Sequence, residues 1–161
     1  MSVPALVIPQ NEQWGPLLWT VLHSFAERLG KQPHPSILED QRREFLLFLH
    51  YVGDTMPCKK CREHYAAWRK LHPLDGLPKS KEFFPAVKQW LFDLHSHVNE
   101  SRGIPNTFLL TDLSARYDSN QFVKSAEELW KFYSNGVQLK LIPYEPYQRL
   151  RAHHKFLTKI M

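Results

Sequence analysis

The chain has 161 residues, 43% of them hydrophobic, with ten Phe, six Tyr and five Trp, which is enough apolar material for one domain with a real core. A formal charge of +5 permits acidic partners without requiring one, because Lys and Arg are scattered through amphipathic segments and are densest only from Arg149 to Lys159, so nucleic acid is not the expected partner. No run approaches the ~18 apolar residues of a membrane helix, "MSVPALVIPQ" lacks the basic start and long apolar stretch of a secretory signal, and two cysteines cannot form the framework of a small secreted scaffold.

From Trp14, "WGPLLWTVLHSFAERLG" places Leu18, Leu22, Phe25, Ala26 and Leu29 at spacings of three and four, with Gly30 where a C-cap belongs, and predicts a first helix after a tail of residues 1–13. A second, heavily buried helix is predicted over "HPSILEDQRREFLLFLHYVG", with Ser36 as N-cap, Glu39 three residues on, and Phe45, Phe48, Leu49 and Val52 on one face. Pro57 suits a first turn, so a third helix starts at Cys58 and Cys61 and runs to about Leu71, where "HPLDGLP" breaks it. A fourth opens near Ser80 and carries Phe83, Phe84, Val87, Trp90, Leu91, Leu94 and Val98 as far as Ser101. The segment "SNQFVKSAEELWKFYSNG" gives a shorter fifth, capped by Ser119 or Asn120, faced by Phe122, Ala126, Leu129, Trp130 and Tyr133, and stopped at Gly136.

No alternating strand, glycine-rich phosphate loop or internal repeat is visible. The expected fold is all-α: a four-helix bundle with an additional short fifth helix, residues 14–134, and a basic C-terminal extension, residues 135–161. With Pro143 and Pro146, that extension reads as a segment that wraps the domain or contacts a partner.

"GDTMPCKKCREHY" holds both cysteines. On a helix starting near Pro57, Cys58, Cys61 and Tyr65 share a face, and the first thiol lies at the positive end of the helix dipole. Lys59, Lys60 and Arg62 add positive potential, which favours the thiolate and makes a disulfide between the two easier to reduce. Two other readings stay open: buried thiols with no task, or a zinc staple completed by His64, His50 or another histidine, which would make the chain a helical protein-interaction module with a basic docking arm. Covalent haem needs His where Arg62 stands, and a thioredoxin-like enzyme needs a βαβ context that is missing. If the pair is redox active, its electrons leave two at a time, whereas O₂ reacts readily only with one-electron donors, so a cofactor able to do both, such as a flavin, has to mediate.

In order and spacing, "WGPLLWTVLH", "PCKKCREHY" and "WLFDLHSHVN" resemble the W-G-x-x-x-W-x-x-L-H, P-C-x-x-C-x-x-H and L-H-N-x-V-N motifs of the Erv/ALR sulfhydryl oxidase family. The resemblance covers about residues 14 to 134 and is greatest to the short, single-pair enzymes of large DNA viruses. It implies an FAD-linked thiol oxidase that makes disulfides in client proteins through Cys58 and Cys61, passes electrons via FAD to O₂ and releases H₂O₂. It also implies a homodimer, usually built through the outer faces of the first two helices. By motif position Trp19, His23, His95 and Asn99 would bind the cofactor and Gly15 would allow its close approach, and Tyr65, Val98, Arg102 and Trp130 are expected beside it, with no metal. The residue spacing agrees, since Gly15, Trp19 and His23 are four apart, as are Leu91, His95 and Asn99, so each set lines one stripe of its helix.

The chain also departs from the family pattern. Ile104 in "RGIP" stands where a Lys commonly follows the fourth helix, leaving Arg102 as its substitute at the phosphates. Met56 replaces an aromatic residue before P-C, Ser96 replaces the Asn of L-H-N, and Pro16 stands where some members have Arg. Cellular members typically carry a second, shuttle cysteine pair and a disulfide pinning the fifth helix, and two cysteines allow neither. Client dithiols, or a thioredoxin-like intermediary, would then meet Cys58 directly and free Cys61 to face the flavin. A persistent disulfide is unusual in a reducing cytosol, so an enzyme that makes them there would suit a virus assembling its particles, located in host cytoplasm or virion.

Overall fold

The structure, a computed structural model, describes residues 6–117 and 121–161. All regular elements among them are helical: α1 (Asn11–Arg28), α2 (Pro35–Thr55), α3 (Lys59–Leu71), α4 (Phe83–Ser101), α5 (Leu113–Tyr117), α6 (Gln121–Gln138) and α7 (Tyr144–Ile160), with single 3₁₀ turns at Leu74–Gly76 and Leu110–Asp112. The all-α expectation holds.

Several boundaries differ from those read in the sequence. Helix α1 begins three residues earlier, because the Gln10 N–H donates to Gln13 Oε1 at 3.0 Å and the Trp14 N–H to the Gln10 carbonyl at 3.1 Å, closing a polar first turn that carries no apolar signal. In α2 the cap is His34, and Pro35 supplies a first residue whose φ is already helical, so Ser36 falls inside the turn. Pro57 lies outside α3, and Cys58 itself is the N-cap. Helix α4 opens at Phe83, not near Ser80. The Ser119 or Asn120 cap falls outside the described residues.

The fifth helix of the sequence reading is α6, as long as α1, and it runs through Gly136 to Gln138. Gly136 serves close packing there, since a Cβ would come within 2.8 Å of Ile142. The helix stops instead at Lys140, held at φ 61°, with the Leu141 N–H on the Gly136 carbonyl and the Lys140 N–H on the Val137 carbonyl. This is the double bond pattern of a Schellman end, with Lys in the place glycine usually takes.

Helix α1 packs between α4, α5 and α6, while α2 lies between α3 and α7. Phe25 joins the halves, its ring 5.8 Å from Phe45, 5.4 Å from Phe48 and 4.9 Å from Phe122. The segment expected to be an extension is a full helix: α7 lays Leu150 and Leu157, two turns apart and both fully buried, against α2. Gln41, also fully buried, ties two helix ends together, accepting from the Gly30 N–H at 2.8 Å and donating to the Ile160 carbonyl at 2.6 Å. Leu150→Ala is therefore expected to cost about 2–5 kcal/mol of unfolding free energy, and Tyr144→Ala, exposed at the start of the same helix, less than about 0.5 kcal/mol. Equal urea midpoints for the two variants would show that α7 adds nothing to the core.

Candidate active site

Cys58 and Cys61 form a disulfide. Cys58 has the extended backbone of an N-cap, and its Sγ accepts the Cys61 N–H at 3.2 Å, so the sulfur occupies the place a Ser or Asp oxygen usually takes at a helix start. The loop before α3 is held by Arg62, whose guanidinium donates to the Met56 carbonyl and, at 3.4 Å, to that of Leu141. From the far side the Asn11 side-chain amide reaches both sulfurs, at 3.5 Å from Cys61 Sγ and 3.7 Å from Cys58 Sγ. The starts of α1 and α3 thus meet at the bridge.

Helices α1 and α4 run antiparallel past each other. Arg102, capping the end of α4, pairs with Glu12 at 3.7 Å, and farther along Lys88 pairs with the buried Glu27 at 2.9 Å. Between these ties Trp19 stacks on His95, ring centroids 4.0 Å apart and planes within 6°. His23 Nε2 shares a hydrogen bond with His95 Nδ1 at 3.0 Å, and Tyr117 stacks on His23 at 4.6 Å. Asn99, one turn on from His95 and buried, donates to Asn106 Oδ1 at 3.0 Å.

Of the residues singled out in the sequence, then, Trp19, His23 and His95 meet, with Asn99 on the same stripe. Gly15 lies between them and the bridge, and a Cβ there would meet nothing within 4 Å. Val98 is partly buried against the core. Arg102 is the α4 end cap, half exposed. Tyr65 is elsewhere: its hydroxyl donates to the Leu49 carbonyl at 2.7 Å and its ring stands edge-on to Trp90, which fixes α3 against α2 and α4. Trp130 packs its ring on Tyr147 and His154 of α7, with Arg151 above it at 5.0 Å. Neither ring joins the Trp19–His95 stack. Asn11, Arg116 and Tyr117 were not read from the sequence, and nothing periodic marks them.

Among the described residues, Trp14 Nε1 and His23 Nδ1 on α1 and Tyr133 Oη against it are buried without a hydrogen-bond partner, the Tyr133 ring standing 6.3 Å from Trp14. Each would cost about 1–3 kcal/mol if left unsatisfied, so this side of α1 is suited to a polar ligand. From Asn11 to His23 the stripe is about 18 Å long at 1.5 Å per residue. Among the described residues no group of three or more His, Cys, Asp or Glu is placed to hold a metal ion, and both sulfurs are committed to each other. No helix among them is long and apolar enough to cross a membrane.

The sequence model of the Erv1 / Alr family matches residues 16–131. The chain is 29% identical over 105 residues to the mitochondrial FAD-linked sulfhydryl oxidase erv1 of Schizosaccharomyces pombe, a match covering 65% of this chain and 53% of that protein. It is 28% identical over 87 residues to an FAD-linked sulfhydryl oxidase of African swine fever virus, covering 54% of this chain and 66% of that one. The chain thus spans less than two thirds of either relative. No solved structure matches it.

The two histidines carry a consequence for stability. Burial first, then repulsion from His95 once that ring is protonated and from Arg116, push His23 down to about 3, and burial with Arg116 pushes His95 down to about 4, against 6.5 for the free side chain. Between about pH 6.5 and those values the unfolded chain binds more protons than the folded one, so the stability present above 6.5 is lost as pH falls. The thermal midpoint should drop between pH 7 and pH 4, and His23→Asn, which cannot titrate, should lose less over that range. Parallel profiles would show that His23 is not held neutral.

Proposed function

The chain belongs to the Erv1/Alr family, and we propose that it is an FAD-linked sulfhydryl oxidase that forms disulfides in client proteins through Cys58 and Cys61. The observation that carries the reading is a disulfide capping α3 at one end of an α1 stripe where Trp14 Nε1 and His23 Nδ1 are buried without a hydrogen-bond partner among the described residues. FAD has its redox ring and its adenine at opposite ends, which suits a stripe with sulfurs at one end and stacked rings at the other. Trp19 and His95 would supply aromatic faces, His23 Nδ1 and Asn99 hydrogen bonds, and Arg102 a positive charge where the family's usual Lys is Ile104. When bound, FAD accepts the electron pair of the dithiol and returns it to O₂.

In the reading proposed, a client thiolate attacks Cys58 Sγ, the bridge breaks, and Cys61 leaves as a thiolate. Both sulfurs are half-buried, so exposure does not choose between them, and the assignment of Cys58 as the attacked sulfur rests on the family resemblance. Cys58 can still accept the Cys61 N–H while it holds the client. A second client thiol then displaces Cys58 and completes the client disulfide. With no third cysteine in the chain, client dithiols or a thioredoxin-like intermediary meet this bridge directly. A homodimer is part of the proposal, and its interface has to avoid the face of α2 that α7 covers. Compartment follows kinship only: host cytoplasm or virion, if the chain is viral.

Purified protein is expected to be yellow, to bleach on anaerobic dithiothreitol, and to recover in air with release of H₂O₂. Cys61→Ser should abolish turnover and accumulate client adducts on Cys58. Colourless protein that binds no FAD would sink the proposal, and stoichiometric zinc in that protein would favour the interaction module.

A further inference from the structure

We propose that the side-chain amide of Asn11 is a thiolate donor for the redox bridge, acting chiefly on Cys61, and that it sets the pair's reduction potential. Asn11 lies before the residues that the family model matches, and it reaches the bridge from 47 and 50 residues away in sequence. The two sulfurs are not equally served. Cys58 is the N-cap of α3 and accepts the Cys61 N–H at 3.2 Å. Cys61 sits in the first turn, and its own N–H is the one given to Cys58. The donor that reaches Cys61 Sγ is Asn11 Nδ2 at 3.5 Å, closer than the same nitrogen lies to Cys58 at 3.7 Å.

A disulfide sulfur is a weak acceptor, whereas a thiolate is a charged one, and hydrogen bonds to charged groups are roughly twice as strong as neutral ones. The Asn11 contact therefore gains strength as the bridge is reduced. When a thiolate attacks Cys58 Sγ, one S–S bond forms, the Cys58–Cys61 bond breaks, and its electron pair goes to Cys61 Sγ, where the amide already points. Reduction by glutathione is balanced as disulfide plus two thiols giving dithiol plus glutathione disulfide, with Cys61 then ionising to the thiolate and releasing its proton to the buffer. Because the donor stabilises the product thiolate, it raises the potential. Its effect on client turnover rests on the oxidase reading, but its effect on this equilibrium does not.

The test is to equilibrate the full chain and its Asn11 variants anaerobically in glutathione buffers, quench with acid, alkylate, and count free Cys58 and Cys61 by mass. Asn11→Leu should lower the equilibrium constant for reduction roughly 10-fold or more, the low end of the worth of one hydrogen bond to a charged group, a tenfold change being about 30 mV for this two-electron couple. Asn11→Asp should lower it further, since it offers the sulfur a negative oxygen. That variant separates the roles, because an acid in the first turn suits the helix dipole. If Asn11 only starts α1, Asn11→Asp keeps both its melting temperature and its redox equilibrium. An Asn11→Asp equilibrium equal to that of the unsubstituted chain, or an equilibrium constant for reduction higher than that of Asn11→Leu, overturns the proposal. Loss of flavin colour with the shifts intact would count against the oxidase reading alone.

Discussion

The hydrogen bond from the Cys61 N–H to Cys58 Sγ is the contact around which the molecule is arranged. It turns a sulfur into a helix cap and places a reducible bond at the positive end of α3, where added negative charge is favoured. A cap works only if the chain entering the helix is fixed, and here it is fixed from three directions. Arg62 holds the Met56 and Leu141 carbonyls, Gly136 lets α6 approach Pro57 and Ile142, and Asn11 closes the remaining side. The Schellman end at Lys140 matters for the same reason, because it turns the chain so that Leu141 presents its carbonyl to Arg62.

The α1–α4 pair is built on a different constraint. Two histidines are buried side by side with an aromatic ring on either side, and Arg116 faces them, so both are held neutral at ordinary pH. A neutral imidazole offers one donor and one acceptor. With His23 and His95 already bonded to each other, one ring nitrogen of His23 is left over, and burial makes that nitrogen expensive to leave empty. Strain of this kind, kept in a core that is otherwise well packed, is what a site for a polar ligand requires.

Much of this was legible in the sequence where one helix carries its own signal. Three-and-four spacing found the cores of α1, α2, α4 and α6, and the stripe of Gly15, Trp19 and His23 came from the family motif, with which the spacing agrees. Contacts between helix starts were not legible. Asn11 sits in a polar turn with no periodic mark, and its importance comes from α3 arriving beside it. Tyr117 lies in a five-residue helix, too short to show a period. Pro143 and Pro146 made the last segment read as irregular, yet Pro143 is the N-cap of α7 and Pro146 falls in its first turn, the two places where the missing N–H costs a helix nothing. Trp130 and Tyr65 fit the motif pattern, but the structure uses their rings to join helices.

Helix α7 also bears on how a chain with two cysteines keeps its bundle closed. Both are spent on the reactive bridge, so α6 has no covalent tie. It is clamped instead, with Phe122, Leu129 and Tyr133 buried on it and with Tyr147, Arg151 and His154 of α7 closing over Trp130. A native disulfide contributes about 2–4 kcal/mol, and one fully buried leucine contributes about 1.5–3 kcal/mol. Leu150 and Leu157 together therefore match what a bridge would add. Packing of that strength holds α6 without a second disulfide, so that in the proposed oxidase no other bridge is open to reduction by thiol clients.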